Sequence, residues 1–297
     1  MFVVVRNVKS QPQGDDQPRF SAEYRVNKGD TIKMGRLKFL VKDYRSDFIA
    51  ANVDSNNDSP VKKPTCRQAC DDEDFAEEEE VEIECGIADK SQQIQCKICW
   101  DDEQTSANPL LSSCKCDGSV RYIHYECLKH WLKQKMTLKE ETNCCSYTWK
   151  QFECEICKTP YPYIFRSSGH KYRLVDVAIP KTGNFLWLES LTFEKNSSRM
   201  VHVIKPTAGG KTEFKLGRGH ESDLRVSDIS VSRCHAIIKY DSQQTHRFYL
   251  EDNLSKFGTL VLANNGVVEL DVDQTKAIQI GRSVISFTVK HQERPPL

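Results

Sequence analysis

Eight residues of this chain have the types and spacing of metal ligands: Cys96-x-x-Cys99, Cys114-x-Cys116, His124-x-x-Cys127 and Cys154-x-x-Cys157. Seven thiolates and one imidazole suit zinc, and eight such ligands complete two tetrahedral sites, hence two zinc ions, with no open position. Sites closed in this way are structural, because no metal-bound water remains to attack a substrate. A segment this short cannot build a large apolar core, so metal binding supplies much of its folding free energy. The chain has thirteen cysteines in all. Clustered thiols in a reducing compartment read as metal ligands rather than as disulfides. Fourteen residues separate the first two pairs, seven separate Cys116 from His124, and 26 separate Cys127 from Cys154. Spacing alone leaves open whether the pairs alternate between the two sites or fill them in sequence.

With Cys in the fourth ligand position and His in the fifth, this order resembles the RING-CH (RING-variant) family over roughly residues 93–162. The likeness extends to Gly118, to His124-Tyr125-Glu126-Cys127-Leu128-Lys129-x-Trp131-Leu132 and to Cys154-Glu155-Ile156-Cys157-Lys158. It implies a cross-brace in which Cys96, Cys99, His124 and Cys127 hold one zinc and Cys114, Cys116, Cys154 and Cys157 the other. It also implies ubiquitin ligase activity. Ile98 and an exposed Trp131 would form the shallow groove that docks a ubiquitin-conjugating enzyme, and Lys158 would bridge to ubiquitin. Such a ligase positions the charged thioester for attack and contributes no acid, base or nucleophile of its own. Leu128, Trp131 and Leu132, at i, i+3 and i+4, share one face of a short helix and serve equally to pack on the zinc core. Glu155 stands where many RING domains carry proline. The long last spacer reads as a tolerated loop insertion, with Cys144 and Cys145 as ordinary loop cysteines. The alternative is a non-catalytic reader or scaffold built on a PHD-like finger, which Phe152, two residues before Cys154, would suit.

A second set of motifs lies further on: Phe214-Lys215-Leu216-Gly217-Arg218, then Ser232-Arg233-Cys234-His235, then Asp252-Asn253-Leu254-Ser255-Lys256-Phe257-Gly258-Thr259. Together they resemble the forkhead-associated (FHA) family over about residues 185–292, a β-sandwich that binds phosphothreonine peptides. A phosphothreonine carries about −1.5 to −2 charges and three acceptor oxygens, which a guanidinium fork and a hydroxyl can meet. The resemblance assigns Arg218 and Ser232 to the phosphopeptide, with Arg233 as a further contact and His235 as a brace behind the loop. Where the family places asparagine before Gly258-Thr259, this chain has Phe257, which cannot make the amide's paired backbone contacts. Ser255 and Lys256 are the residues placed to compensate.

The elements that must hold these groups are mostly strands, and the fold class expected is multidomain: a small zinc-stabilised α+β cross-brace domain plus an all-β sandwich. Short apolar runs with turn signals between them recur at 185–188, 201–204, 214–216, 236–238, 248–250, 259–262 and 284–287, as in a sandwich. Residues 1–48 form a small β segment with runs at 2–5, 24–26, 31–34 and 39–41. Within it Ile32-Lys33-Met34-Gly35-Arg36 aligns with Ile278-Gln279-Ile280-Gly281-Arg282, and each precedes an apolar run ending Val-Lys. The repeat reads equally as a relic of a second sandwich or as two unrelated hairpins. Residues 49–92 are poor in large apolar groups and are expected to be a disordered acidic linker, with Cys66, Cys70 and Cys85 in it. Residues 163–184 connect the two domains, and 293–297 are a tail.

The chain's 297 residues carry no formal net charge, which speaks against a nucleic-acid or membrane-surface role. The balance hides ten acids within residues 71–84 and a corresponding excess of ten bases elsewhere. That acidic run keeps the linker solvated, or else mimics a phosphopeptide on the sandwich. No apolar run approaches the ~20 residues that span a bilayer, and the start lacks a signal-peptide pattern. The expectation is a soluble cytoplasmic or nuclear protein.

Overall fold

The computed structural model describes residues 2–5, 23–46, 81–83, 94–191, 198–207, 209–264, 272, 275–281 and 283–290. Four strands open the chain: β1 (Phe2–Val4), β2 (Tyr24–Arg25), β3 (Thr31–Met34) and β4 (Leu37–Arg45). The middle holds β5 (Val81–Glu82), β6 (Leu110–Leu111), β7 (Ile123–His124) and helix α1 (Tyr125–Lys133). There follow the hairpin β8 (Thr137–Glu141)–β9 (Cys144–Trp149) and the pair β10 (Ile164–Ser167)–β11 (His170–Arg173). Then come β12 (Phe185–Ser190), β13 (Arg199–Ile204), β14 (Glu213–Gly217), β15 (Leu224–Arg225) and β16 (Ala236–Tyr240). The last are β17 (Phe248–Asp252), β18 (Thr259–Leu262), β19 (Thr275–Ile280) and β20 (Ser283–Thr288).

These strands form a sandwich with a third layer. One sheet has ten strands in the order β20-β19-β1-β18-β3-β4-β12-β13-β9-β8 and the facing sheet five, β15-β14-β16-β17-β2. Ile32, Phe39, Val41, Leu186, Leu188 and Val261 from the first sheet pack with Phe214, Leu216, Ile238 and Leu250 from the second. The opposite face of the ten-stranded sheet offers Phe185, Trp187, Val201, Val203, Tyr147 and Trp149. On these pack Leu110, Leu111, Leu128, Leu132 and Phe165 of the cysteine-rich segment and its neighbours. This explains why Phe185-Leu186-Trp187-Leu188 is continuously apolar: β12 is buried on both sides, so neither face tolerates alternation with polar groups.

Strand pairing moves the expected boundaries. Residues 1–48 are not a separate small segment, because β3 and β4 lie in the middle of the large sheet. There β3 pairs with β18 and β4 with β12. The buried Asp30 pins this segment further, accepting hydrogen bonds from the Tyr24 hydroxyl (3.0 Å), the Asn27 amide (2.8 Å) and the Asn264 amide (3.0 Å). The sandwich therefore begins before the cysteine-rich segment and resumes after it.

Nor is the long zinc spacer a loop. It forms the β8–β9 hairpin, and β9 joins β13 through six consecutive residue pairs, from Arg199↔Trp149 to Ile204↔Cys144. Cys144 and Cys145 are accordingly buried strand residues. Disorder across 49–92 fails at one point. Val81 and Glu82 pair in parallel with Phe165 and Arg166, Ile83 is buried, and the Ser167 hydroxyl donates to the Ile83 carbonyl at 2.6 Å. Residues 47–80 and 84–93, with Cys66, Cys70, Cys85 and the acids at 71–80, lie outside the described residues.

Candidate functional site

Two ligand clusters stand where the cross-brace puts them. Cys96, Cys99, His124 and Cys127 form one and Cys114, Cys116, Cys154 and Cys157 the other, with the candidate ligand atoms of each within 4.8 Å of one another. Alternation between the sites is thus settled in favour of the cross-brace over sequential pairing. Each cluster joins two distant chain segments. His124 closes β7 and caps α1, so the helix that carries Cys127 starts on a ligand.

The surroundings fit two zinc ions. His124 turns Nδ1 toward Cys99 Sγ (3.2 Å) and Nε2 toward the Glu103 carbonyl oxygen (2.8 Å). An Nε2–H donated to that carbonyl leaves Nδ1 free to bind metal, the second-shell bond usual for ligating histidines. The amides of Ile98 and His124 both donate to Cys96 Sγ at 3.4 Å. Burial opposes the Cys96 thiolate, but the bonds from Cys99, His124 and Ile98 outweigh it and bring the thiol down to about 7. Thr159 holds Cys157 at about 6. Burial, reinforced by neighbouring sulfurs, pushes Cys116 and Cys127 up to about 12. A set of thiols that crowds some ligands into protonation while stabilising others as thiolates calls for a dication, which would deprotonate all of them.

Lys97 was not foreseen from the sequence. Its ammonium lies 3.7 Å from Cys114 Sγ and 3.9 Å from Cys154 Sγ, although its own loop belongs to the other cluster. Four thiolates around one dication leave two net negative charges, and Lys97 is placed to offset them. Lys97→Met should therefore weaken metal retention at the four-cysteine site by about 10–100-fold while sparing the other. Chelator competition followed by native mass spectrometry reads this as faster loss of one ion of two.

The expected docking residues are distributed differently. Ile98 is exposed, and so are Trp100 (67%) and Ile156 (62%), one from each zinc loop and neither foreseen. Trp131 is half-buried rather than exposed. Tyr161 meets its ring edge-on at 6.4 Å, and the Lys135 ammonium sits 4.1 Å from its centroid. Lys135 also pairs with Glu155 at 2.5 Å, so the residue that replaces proline clamps a cation over the tryptophan. Lys158 is exposed with a left-handed backbone (φ 58°) and lies 3.9 Å from Glu153.

At the sandwich, three loops converge. Arg218, exposed after β14, donates its amide to the Ser232 carbonyl (3.1 Å), and the Lys256 amide donates to Ser232 Oγ (3.1 Å). His235 is buried behind them. The Ser232 amide donates to its Nδ1 (3.0 Å), which leaves Nε2–H to donate to the Gly258 carbonyl (3.1 Å). Burial lowers the His235 pKa and keeps the ring neutral, as this relay requires. Gly217 is obligatory, because a Cβ there would lie 2.0 Å from the Arg233 carbonyl oxygen. Arg233 and Lys256 are exposed. Ser255, expected at the peptide, is instead buried and donates its hydroxyl to Asp252 Oδ1 (2.6 Å), which braces the loop from within. Phe257 (60% exposed), Leu254 and Ile229 give the rim an apolar character.

Comparison with known proteins agrees with both sites. Residues 96–157 match the RING-variant domain and residues 214–284 the FHA domain. The chain therefore contains both domains, with Cys/His clusters that fit two zinc ions. Over 63 residues it is 41% identical to the probable E3 ubiquitin-protein ligase MARCHF10 of Rattus norvegicus, covering 21% of this chain and 7% of that protein. It is 36% identical over 63 residues to the E3 ubiquitin-protein ligase MARCHF7 of Mus musculus, covering 21% and 8%. With the E3 ubiquitin-protein ligase MARCHF8 of Bos taurus it shares 35% over 80 residues, covering 26% and 21%. The chain thus spans a small part of each relative's length. No solved structure matches the chain. Among the described residues no helix is long and apolar enough to cross a membrane.

Proposed function

We propose that the protein is a RING-CH ubiquitin ligase that docks a ubiquitin-conjugating enzyme on its zinc loops and recruits phosphothreonine proteins through its FHA loops. The observation that carries this reading is the physical continuity of the two sites. The zinc spacer is a strand of the sandwich's own sheet, so a target held at Arg218 and Ser232 stands at a set position relative to the zinc platform. Transfer by positioning needs such a frame. Ile98, Trp100 and Ile156 supply apolar contact for the conjugating enzyme, and the Lys135–Glu155 pair beside Trp131 supplies charge selectivity. Covalent passage through the spacer thiols is disfavoured, since Cys144 and Cys145 are buried and burial raises Cys144 to about 11. Thiolate ligands suit the cytoplasm or nucleus, where thiols stay reduced.

On the peptide side, Arg218 and Ser232 meet the phosphate and the apolar rim of Phe257, Leu254 and Ile229 selects the neighbouring residues. Arg218→Ala should weaken binding of a phosphothreonine peptide library by about 10–100-fold, the loss of a charge-assisted contact worth about 1.5–3 kcal/mol. Ser255→Ala should leave contacts to the phosphate in place. Fluorescence anisotropy with phosphorylated and unphosphorylated pools measures both. Discharge of ubiquitin from a panel of charged conjugating enzymes tests the ligase arm. Uniform failure across the panel, with phosphopeptide binding intact, would favour the reader or scaffold.

A further inference from the structure

Against the loop that leads into Ser232 lies a turn from a distant part of the chain. Met34 pairs with Leu37, so Gly35 and Arg36 alone join β3 to β4. Gly35 has φ 59°, the left-handed region that glycine enters without strain. A Cβ there would lie 2.3 Å from Ser230 Oγ and 2.7 Å from the Ser230 carbonyl oxygen, so the position has no room for a side chain. Hydrogen bonds run through the same contact. The Arg36 amide donates to Ser230 Oγ (2.9 Å), and that hydroxyl donates onward to Asp228 Oδ1 (2.6 Å). The Ser230 amide donates to the same carboxylate oxygen (2.7 Å), and the Arg36 guanidinium reaches it at 3.4 Å.

Between Asp228 and Ser230 stands Ile229, 85% exposed. An exposed isoleucine is ordinary in itself. What is particular here is its bracing, because both of its neighbours are tied to the β3–β4 turn. On the other side Val231 is buried and donates its amide to the Asp228 carbonyl (3.1 Å), which closes the loop just before Ser232. Ile229 is thus held at a set place three residues from Ser232 without being packed into the core.

We infer, on the phosphopeptide reading given above, that the Gly35–Arg36 turn positions Ile229 and so sets which residues beside the phosphothreonine the sandwich accepts. The turn lies outside residues 214–284, the range of the FHA match, and it precedes the zinc domain in the chain. Peptide selection therefore draws on segments from both sides of that domain. The absent side chain of Gly35 and the backbone amide of Arg36 do the positioning. The Arg36–Asp228 ion pair adds little, since the arginine side chain is 68% exposed and such pairs are well screened. Ile229 has no charge or hydrogen-bonding group in its side chain, so the peptide residue it favours is aliphatic.

Fluorescence anisotropy of the full chain with two phosphothreonine peptide pools tests this, one with aliphatic and one with polar residues flanking the phosphothreonine, each also in unphosphorylated form. The wild type should favour the aliphatic pool about tenfold, as partial burial of one isoleucine side chain allows. Ile229→Ser should abolish the preference. Ser230→Ala and Gly35→Ala should cut it to about twofold, the loss of one hydrogen bond being worth about fivefold. In all three variants the ratio of phosphorylated to unphosphorylated binding should persist, because Arg218 and Ser232 are untouched; a general loss of fold would remove both. Should Gly35→Ala perturb folding, which zinc content and thermal unfolding report, Ser230→Ala carries the test. A preference that Ser230→Ala leaves at its wild-type value, or a wild type that binds both phosphorylated pools equally, overturns the assignment and leaves phosphopeptide recognition standing. A wild type blind to phosphorylation overturns phosphopeptide recognition and the assignment with it.

Discussion

Cys154→Ser is expected to cost the protein one zinc ion of two, the ubiquitin-discharge activity proposed for it and a substantial part of the stability of the sandwich. The first two losses follow from any closed structural site, whose metal contributes about 10–16 kcal/mol of apparent binding free energy. The third is particular to this fold. Cys154 lies at the end of the segment that carries the β8–β9 hairpin, and β9 hydrogen-bonds to β13 along its whole length. Leu128 and Leu132 of α1, held by the ligand Cys127, share a core with Trp187, Val201 and Val203 of the sandwich. Loss of the zinc platform uncovers the outer face of β12 and β13. Phosphopeptide affinity should fall with it, although Arg218 and Ser232 are untouched. Thermal unfolding followed by zinc release and by a tryptophan reporter would show one shared transition in the wild type. A sandwich with an unchanged midpoint in the variant would mean two independent domains and would refute the shared frame.

Glu189→Ala should destabilise the protein by about 3–5 kcal/mol, the usual cost of stranding one buried charge. Glu189 on β12 and Arg199 on β13 are almost fully buried and meet at 3.0 Å, with the guanidinium 4.4 Å from the Tyr163 ring of the segment that leaves the second zinc loop. The pair thus sits in the seam between sandwich and zinc layer. Removing the carboxylate takes away the ion partner at 3.0 Å that offsets the cost of burying the cation. Replacing both, as Glu189→Leu with Arg199→Met, should recover most of the loss, since buried pairs seldom outperform well-packed apolar groups of similar volume. Urea denaturation of the two variants measures this, and an additive double variant would show that the pair is not coupled.

Both zinc sites were legible from one sequence because metal coordination demands particular atoms at short range, and few arrangements of paired cysteines satisfy it. Much of the FHA loop geometry was legible for a similar reason: Gly217, Ser232 and His235 each answer a local constraint, a close backbone approach, a hydroxyl and a brace. Strand positions followed from apolar periodicity. Ser255 was expected at the peptide because a serine's type does not say whether its hydroxyl faces a ligand or a neighbouring carboxylate. Lys97 escaped notice because it serves the cluster to which its own loop does not belong.

What the sequence determined by itself was therefore chemistry set within a few residues: two closed metal sites, the loops of an FHA domain and the strands of a sandwich. Which strands are neighbours was decided only in three dimensions. Residues 31–45 fill the centre of a sheet in which their flanking neighbours, β12 and β18, lie more than 100 residues away, and the zinc spacer extends that sheet's edge. Backbone hydrogen bonds in a sheet are the same for every residue type. Pairing between distant segments therefore leaves little trace beyond the doubly buried runs of β12 and β13, and the choice between two hairpins of similar sequence for the central slot rests on packing summed over the whole core.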